Sequence, residues 1–348
     1  MSASEAFADR MVGILNDSAL ALLIGLGHQA GLFDTMAGLP PAGCAEIAAA
    51  AGLQERRVRE WLDGMVAGGI VDHDPAGGGY TLPPDRAACL TRAAGSGNLA
   101  GLAQYAAAMG EVEQRVVAAF REGGGVPRSA YSRFRELRAE ESRRTVDGAL
   151  VDGVLPLVPG LPERLREGIE VLDVHCGRGH ALSVMAQAFP AARFRGVDLC
   201  EEDIAAAREE AARLGLANTT FDVADSADLD GHYDLITAFD AIRDLADPAR
   251  TLLAARDALH DDGVFLMGDT APAGPREEGA DDPVGPLLHG LSLFHRTAVS
   301  PGTGEAGPDP AAGGRTARRM LTDAGFTRVD TGRAEGDLLT VYYAARKS

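Results

Sequence analysis

The chain predicts an α/β fold: a seven-stranded doubly wound sheet in its C-terminal half, behind an α-helical N-terminal domain that ends in a small wing. Three observations carry this. From residue 168 onward, short apolar runs alternate with segments of helical period, the pattern of a sheet covered by helices on both faces. Residues 171–179 read Val-Leu-Asp-Val-His-Cys-Gly-Arg-Gly, a glycine-bearing turn directly after an apolar run. Residues 12–90 hold helical stretches followed by two short extended runs around a Gly-rich turn.

In the N-terminal domain, placed at residues 1–95, the periodicity predicts helices over 17–33, 45–51 and 55–68. A Pro/Gly break at 39–43 separates the first two. Strands at 70–73 and 80–82 flank a hairpin turn at 74–79, which completes a winged helix. Segment 96–167 reads as a helical linker with helices at 99–110, 111–122 and 132–155, broken by Gly123, Gly124, Gly125 and Pro127. Residues 168–348 give strands at 169–174, 193–197, 219–224, 233–239, 263–268, 326–331 and 338–344, with helices at 180–189, 201–214, 247–260 and 314–324. A Pro/Gly-rich insertion at 271–312 contains an apolar stretch at 286–295, and a connection that long reads as a lid.

Composition narrows the function classes. With 51 acidic against 33 basic residues, the net charge of −18 gives no general attraction to nucleic acid or anionic membrane. Residues 12–90 carry nine acids against the arginines Arg56, Arg57, Arg59 and Arg86, so the wing region is poor at holding phosphates. Its apolar first helix suits a homodimer contact instead. The four cysteines form no CxxC pair, and no His/Cys spacing supports a metal site. No basic leader with an apolar core is present, and the apolar run at 19–26 is too short to span a bilayer. A soluble cytoplasmic protein without nucleic-acid or membrane partners is expected.

In open α/β sheets, ligands bind outside the carboxyl ends of the strands. The residues there are Asp173, then Gly177 and Gly179 in the turn, Asp198 after the second strand, Asp225 after the third, and Phe239 with Asp240 after the fourth. Asp198 follows Gly179 at close to the spacing of a ribose-binding acid. Asp198 and Asp225 also suit plain helix capping. The loop lacks G-x-G-x-x-G, which argues against a nicotinamide dinucleotide.

The 171–179 loop resembles the Asp-x-Gly-x-Gly-x-Gly loop of class I S-adenosylmethionine (SAM) methyltransferases, with their Rossmann-like fold. Asp173, Gly177 and Gly179 fit it, and His175 stands at its first glycine. The strings Phe239-Asp-Ala-Ile-Arg-Asp-Leu-Ala-Asp-Pro, Gly285-Pro-Leu-Leu-His-Gly-Leu-Ser, Arg318-Arg-Met-Leu-Thr-Asp-Ala-Gly-Phe and Val341-Tyr-Tyr resemble a bacterial subfamily with an N-terminal winged helix. The resemblance implies SAM as cofactor, a small-molecule substrate of natural-product type, and a cofactor set of Asp173, His175, Gly177, Gly179, Asp198, Leu199, Asp225, Ser226, Phe239 and Asp240. It also implies that segment 96–167 roofs a substrate pocket. Tyr105, Met109, Tyr131 and Phe134 would line that pocket, or equally serve as plain core between helices, and His289 would join them from the insertion.

Two departures bear on chemistry. His175 adds a Cβ and an imidazole where glycine leaves room for the ligand. In O-methyltransferases of this type a His-Asp pair follows the fourth strand, with the His as base. Here the pair is Arg243-Asp244, and arginine stays protonated. Either another residue takes the base role, His295 being preferred, or no base is needed; alternatively Arg243, with Asp244 beside it in the catalytic set, binds a substrate carboxylate or phosphate bidentately. The alternatives to methyl transfer are another reaction on the same fold, or a ligand-sensing regulator.

Overall fold

The computed structural model describes residues 2–242, 245, 247–271, 284–297 and 313–348. Among these the chain forms two compact units, one of residues 2–141 with 293–297, the other of the rest. Segment 96–167 is thus divided between them at Glu141, and the stretch after Ser292 counts with the first unit.

The first unit begins with helix α1 (Ala3–Gln29), followed by α2 (Leu32–Ala37), α3 (Cys44–Ala51) and α4 (Glu55–Ala67). A two-stranded hairpin, β1 (Asp72–Asp74) and β2 (Gly79–Thr81), supplies the wing, antiparallel with His73 opposite Tyr80. α5 (Pro84–Leu90), α6 (Leu99–Glu122) and α7 (Ser132–Ala149) follow, the last counting with this unit through Glu141. The core gathers Leu32, Phe33, Ile47, Val58, Trp61 and Leu62. The Trp61 indole N–H donates to the Leu23 carbonyl at 2.9 Å and so fastens α4 to α1.

Three elements differ from the sequence expectation. α1 starts fourteen residues before the expected start at 17, because Ser2 and Glu5 form a reciprocal capping box and nothing breaks the helix before Gly31, which takes φ +72. At 27 residues α1 is long and apolar enough to cross a membrane by length and composition, a property the 19–26 run alone did not reveal. α6 runs straight through Gly110 instead of breaking there, since the glycine costs only about 1 kcal/mol among good helix formers. α5 was not expected; Pro84 at its first turn has no N–H to leave unpaired.

The second unit contains α8 (Leu161–Glu167), β3 (Glu170–Val174), α9 (His180–Ala188), β4 (Arg193–Asp198), α10 (Glu201–Arg213), β5 (Thr219–Val223) and β6 (Tyr233–Phe239). It continues with α11 (Pro248–Ala258), β7 (Leu259–Thr270), α12 (Gly285–Leu291), α13 (Gly313–Asp323), β8 (Arg328–Gly332) and β9 (Thr340–Arg346). The sheet order is β5-β4-β3-β6-β7-β9-β8, parallel from β5 to β7, with β9 antiparallel to both its neighbours. Each face has its own core. Val171 joins Leu182, Met185 and Ile204 on one face; Leu172 and Val174 join Leu252 and Leu321 on the other. That period-two split along a strand buried on both faces is what a doubly wound sheet demands. Within the expected lid, α12 and a wide helical turn at Ser292–Thr297 are formed, and residues 272–283 and 298–312 lie outside the described residues.

Candidate functional site at the carboxyl ends of the central strands

From β3 the chain moves outward to β4 and β5, then returns to the other side of β3 as β6. The switch point therefore lies between β3 and β6, where open α/β sheets bind ligands. Asp173 is buried there, and its Oδ1 accepts a 2.6 Å hydrogen bond from the Thr237 hydroxyl, its register partner on β6. Burial pushes the Asp173 carboxyl up to about 7, against the opposing pulls of Thr237 and His175.

The turn after β3 keeps the backbone of a glycine loop. His175 has φ +58, one of two non-glycine residues with positive φ among the described residues, the other being Asp240 at +52. For a residue with a Cβ this conformation costs roughly 1–2 kcal/mol. Gly179, at φ +68, has no such cost, and a Cβ on it would stand 2.4 Å from the Phe221 ring. The Gly179 N–H donates to the Cys176 carbonyl at 2.9 Å, which closes the turn, and α9 begins at the next residue. Above Gly177 nothing lies within 4 Å of where a Cβ would be, so the turn leaves an open cradle.

Asp198 ends β4, buried, and it organises the loop. Its Oδ2 accepts from His175 Nδ1 at 2.8 Å and from the Gly177 N–H at 2.9 Å; its Oδ1 accepts from the Cys200 N–H at 2.9 Å. Burial alone would raise this carboxyl, but the His175 ring and the two backbone donors outweigh it and hold it below the ordinary carboxylate value. Leu199 beside it is 67 % exposed, an apolar surface at the rim. Asp225 is exposed and caps its own turn through the Ala227 N–H at 2.9 Å; Ser226 is buried against Thr251 at 3.2 Å. Phe239 is half-buried with its ring edge-on to Tyr342 at 6.4 Å, and the Asp240 N–H donates to the Gly268 carbonyl at 3.0 Å.

The structure thus brings together the strand-end set that the sequence singled out, on one edge of one sheet. Its internal wiring, above all the His175–Asp198 bond, gave no sequence signal, because the partners lie 23 residues apart. Among the described residues no group of three or more His, Cys, Asp or Glu side chains could hold a metal ion.

The residues expected on the substrate side fall differently. Tyr105, Tyr131 and Phe134 are buried in the first unit and pack on one another. His295 joins them, stacked on Phe134 at 5.0 Å and edge-on to Tyr131 at 5.0 Å, while the Tyr131 hydroxyl donates to the Phe294 carbonyl at 2.8 Å. The Tyr105 hydroxyl donates to Glu141 at 3.0 Å, and burial followed by that carboxylate drives the phenol upward. Met109 is half-buried on the same helix as Tyr105. His289 is exposed on α12 in the second unit. Arg243 and Asp244 lie outside the described residues.

Comparisons with known proteins agree with this architecture. Residues 18–92 match the family of Rv2258c-like winged HTH domains, and residues 165–283 match a methyltransferase domain family. The human N-acetylserotonin methyltransferase, solved in complex with SAM, is similar over 100 % of both chains with TM-score 0.68 and 18 % identity. CalO1, a methyltransferase of calicheamicin biosynthesis solved with S-adenosylhomocysteine (SAH), is similar over 99 % of both chains with TM-score 0.70 and 18 % identity. The mitomycin 7-O-methyltransferase MmcR covers 99 % of both with TM-score 0.64 and 17 % identity. No curated protein sequence matches the chain. The chain therefore carries an Rv2258c-like winged HTH domain followed by a methyltransferase domain, on the fold that these solved methyltransferases share.

Proposed function

We propose that the protein is a SAM-dependent methyltransferase acting on a small molecule of natural-product type, working as a cytoplasmic homodimer. The observation that carries this is the strand-end constellation around the β3–β6 switch point, with an open cradle above Gly177 and a buried acid on each of β3 and β4. These residues fit an adenosyl cofactor. Asp198 would hold a ribose through its carboxylate, exposed Leu199 would offer a face to an adenine, and Asp225 with the Ser226 backbone would be the residues beside that ring. Gly177, Asp173 and Asp240 border the space for an aminocarboxypropyl arm, with Phe239 beside it.

When bound, SAM supplies a methyl group on an electrophilic sulfonium. The chain's part is to orient the acceptor in line and to exclude water. His295 is our choice to remove a proton from a hydroxyl acceptor: its ring is held by Phe134 and Tyr131, which limits its reorientation. Arg243 suits an anionic group on the substrate, with Asp244 orienting it. Tyr105, Met109, Tyr131, Phe134 and His289 are the proposed substrate-side residues.

Two features support the remaining statements. An exposed apolar stripe along α1, including Phe7, Met11, Leu15, Leu22 and Leu26, suits a second copy of the chain. On the winged helix Arg59 pairs with Glu55 and Arg86 with Asp72, which argues against a DNA-reading role. A second reading, another reaction on this fold, is favoured by His175 and Arg243 standing where the family resemblance places glycine and histidine.

The test is calorimetric titration with SAM and SAH, followed by label transfer from SAM to a panel of small hydroxylated acceptors, with His295→Ala alongside. We expect micromolar binding of both compounds and transfer reduced about 10²–10⁴-fold by His295→Ala. Binding without transfer to any acceptor turns the reading toward another reaction; no binding removes the cofactor assignment.

A further inference from the structure

The Asp198 carboxylate is nearly full before any ligand arrives. A carboxylate has about four acceptor positions, two on each oxygen. Among the described residues, Oδ2 already accepts from His175 Nδ1 and the Gly177 N–H, and Oδ1 accepts from the Cys200 N–H. One position, on Oδ1, is left. A ribose presents two adjacent hydroxyls, and a bidentate grip on both by this carboxylate needs a position on each oxygen. His175 occupies the one that a glycine would leave open.

The imidazole brings a replacement. With Nδ1–H committed to Asp198, Nε2 is the nitrogen left on the opposite edge of the ring, and a hydroxyl can pair with it either as donor or as acceptor. The side chain is 39 % exposed, although its carboxylate partner is only 5 % exposed, so the ring is reachable from outside the protein in the same turn that holds the cradle. The strained backbone at His175 is retained although glycine or asparagine would relieve it, which is the kind of outlier that collects at functional sites.

Resting on the cofactor reading above, we propose that His175 is a specificity-determining ligand residue. Asp198 Oδ1 takes one ribose hydroxyl and His175 Nε2 takes the other, so that the diol is read by an Asp–His pair instead of by the acid alone. Asparagine separates the contributions. It tolerates positive φ and keeps a donor for Asp198 at the position of Nδ1, but has nothing at the position of Nε2.

The experiment is calorimetric titration of the full-length protein, as wild type, His175→Asn and His175→Gly, with SAH and its 2′-deoxy and 3′-deoxy ribose analogues. Thermal melting first confirms that each variant is folded. We expect wild type to bind SAH and His175→Asn to bind it about tenfold more weakly, the size of one lost hydrogen bond. For one of the two deoxy analogues, wild type and His175→Asn should bind equally, because the hydroxyl that Nε2 reads is gone. His175→Gly, with Oδ2 freed for a bidentate grip, should bind SAH at least as tightly as wild type. Equal SAH affinity in wild type and His175→Asn overturns the proposal. So does SAH binding by His175→Gly alone, which would make His175 an obstruction. If neither wild type nor His175→Gly binds SAH, the cofactor reading itself fails and takes this inference with it.

Discussion

Asp173 shows how one side chain can shape both fold and site. It is buried at the end of a central strand, and its carboxyl is pushed up to about 7 from an ordinary value of 3.8. A group raised on folding contributes stability that is fully present below its unfolded value and lost as pH rises through the folded one. Asp173 therefore weakens the fold progressively between about pH 4 and pH 7, by up to about 4 kcal/mol at about 1.4 kcal/mol per unit. Asp173→Asn keeps an acceptor for Thr237 and cannot ionise. Denaturant unfolding should show the variant more stable than wild type, with the margin widening from pH 5.5 to about 7.5 and then holding constant. A margin independent of pH would show that Asp173 keeps its ordinary acidity in the fold. The location of Asp173 was legible from a strand pattern and a following turn; its bond to Thr237 was not, because a parallel register across 64 residues leaves no local trace.

At the scale of elements, legibility followed burial. β3 and β6 are legible because strands buried on both faces are largely apolar runs bounded by turn residues, and β4, with Arg193 and Arg195 in it, because Phe194 and Val197 lead into the acid at its end. α1 and α6 were misjudged, since the start of α1 depends on Ser2 and Glu5 capping each other, and the continuity of α6 on a glycine whose added Cβ would touch nothing within 4 Å. The junction of β3 and α9 is tightly constrained by its neighbours. Gly179 combines φ +68 with a 2.4 Å approach of an added Cβ to Phe221, which packs in the core beneath. Gly179→Ala should therefore cost about 2–4 kcal/mol, the sum of left-handed strain and overpacking. It should also weaken SAH binding, because relief requires the turn to move. The unfolding midpoint with and without SAH checks both, and an unchanged midpoint would mean that the Phe221 ring yields without cost. Gly177→Ala has open space above it but takes φ +52, so it should cost only the left-handed strain, about 1–2 kcal/mol, while occupying the cradle directly.

For the whole molecule, two quantities compete: a net charge of −18 and an apolar stripe on a 27-residue helix. A helix of that length extends about 40 Å at 1.5 Å per residue. Phe7, Leu15, Leu22 and Leu26 are each at least 49 % exposed along it, which is a large apolar area to leave in water. The same helix carries exposed Glu5, Asp9 and Asp17 against exposed Arg10, and the whole chain is at −18, so two copies meeting along the stripe also bring net like charge together. Burial of the stripe acts at contact and is insensitive to moderate salt. The repulsion is screened over about 10 Å at 0.1 M salt and much less at low salt. The proposed homodimer should therefore tighten as salt rises from about 0.02 to 0.3 M, opposite to an assembly held by ion pairs. Leu15→Glu combined with Leu22→Glu should shift the protein to monomer at micromolar concentration with little change in unfolding midpoint, because both side chains are exposed within the single chain. Sedimentation velocity across the salt series, on wild type and the double variant, measures both effects. A wild-type protein that stays monomeric at every salt concentration would remove the dimer and leave the stripe for a different partner.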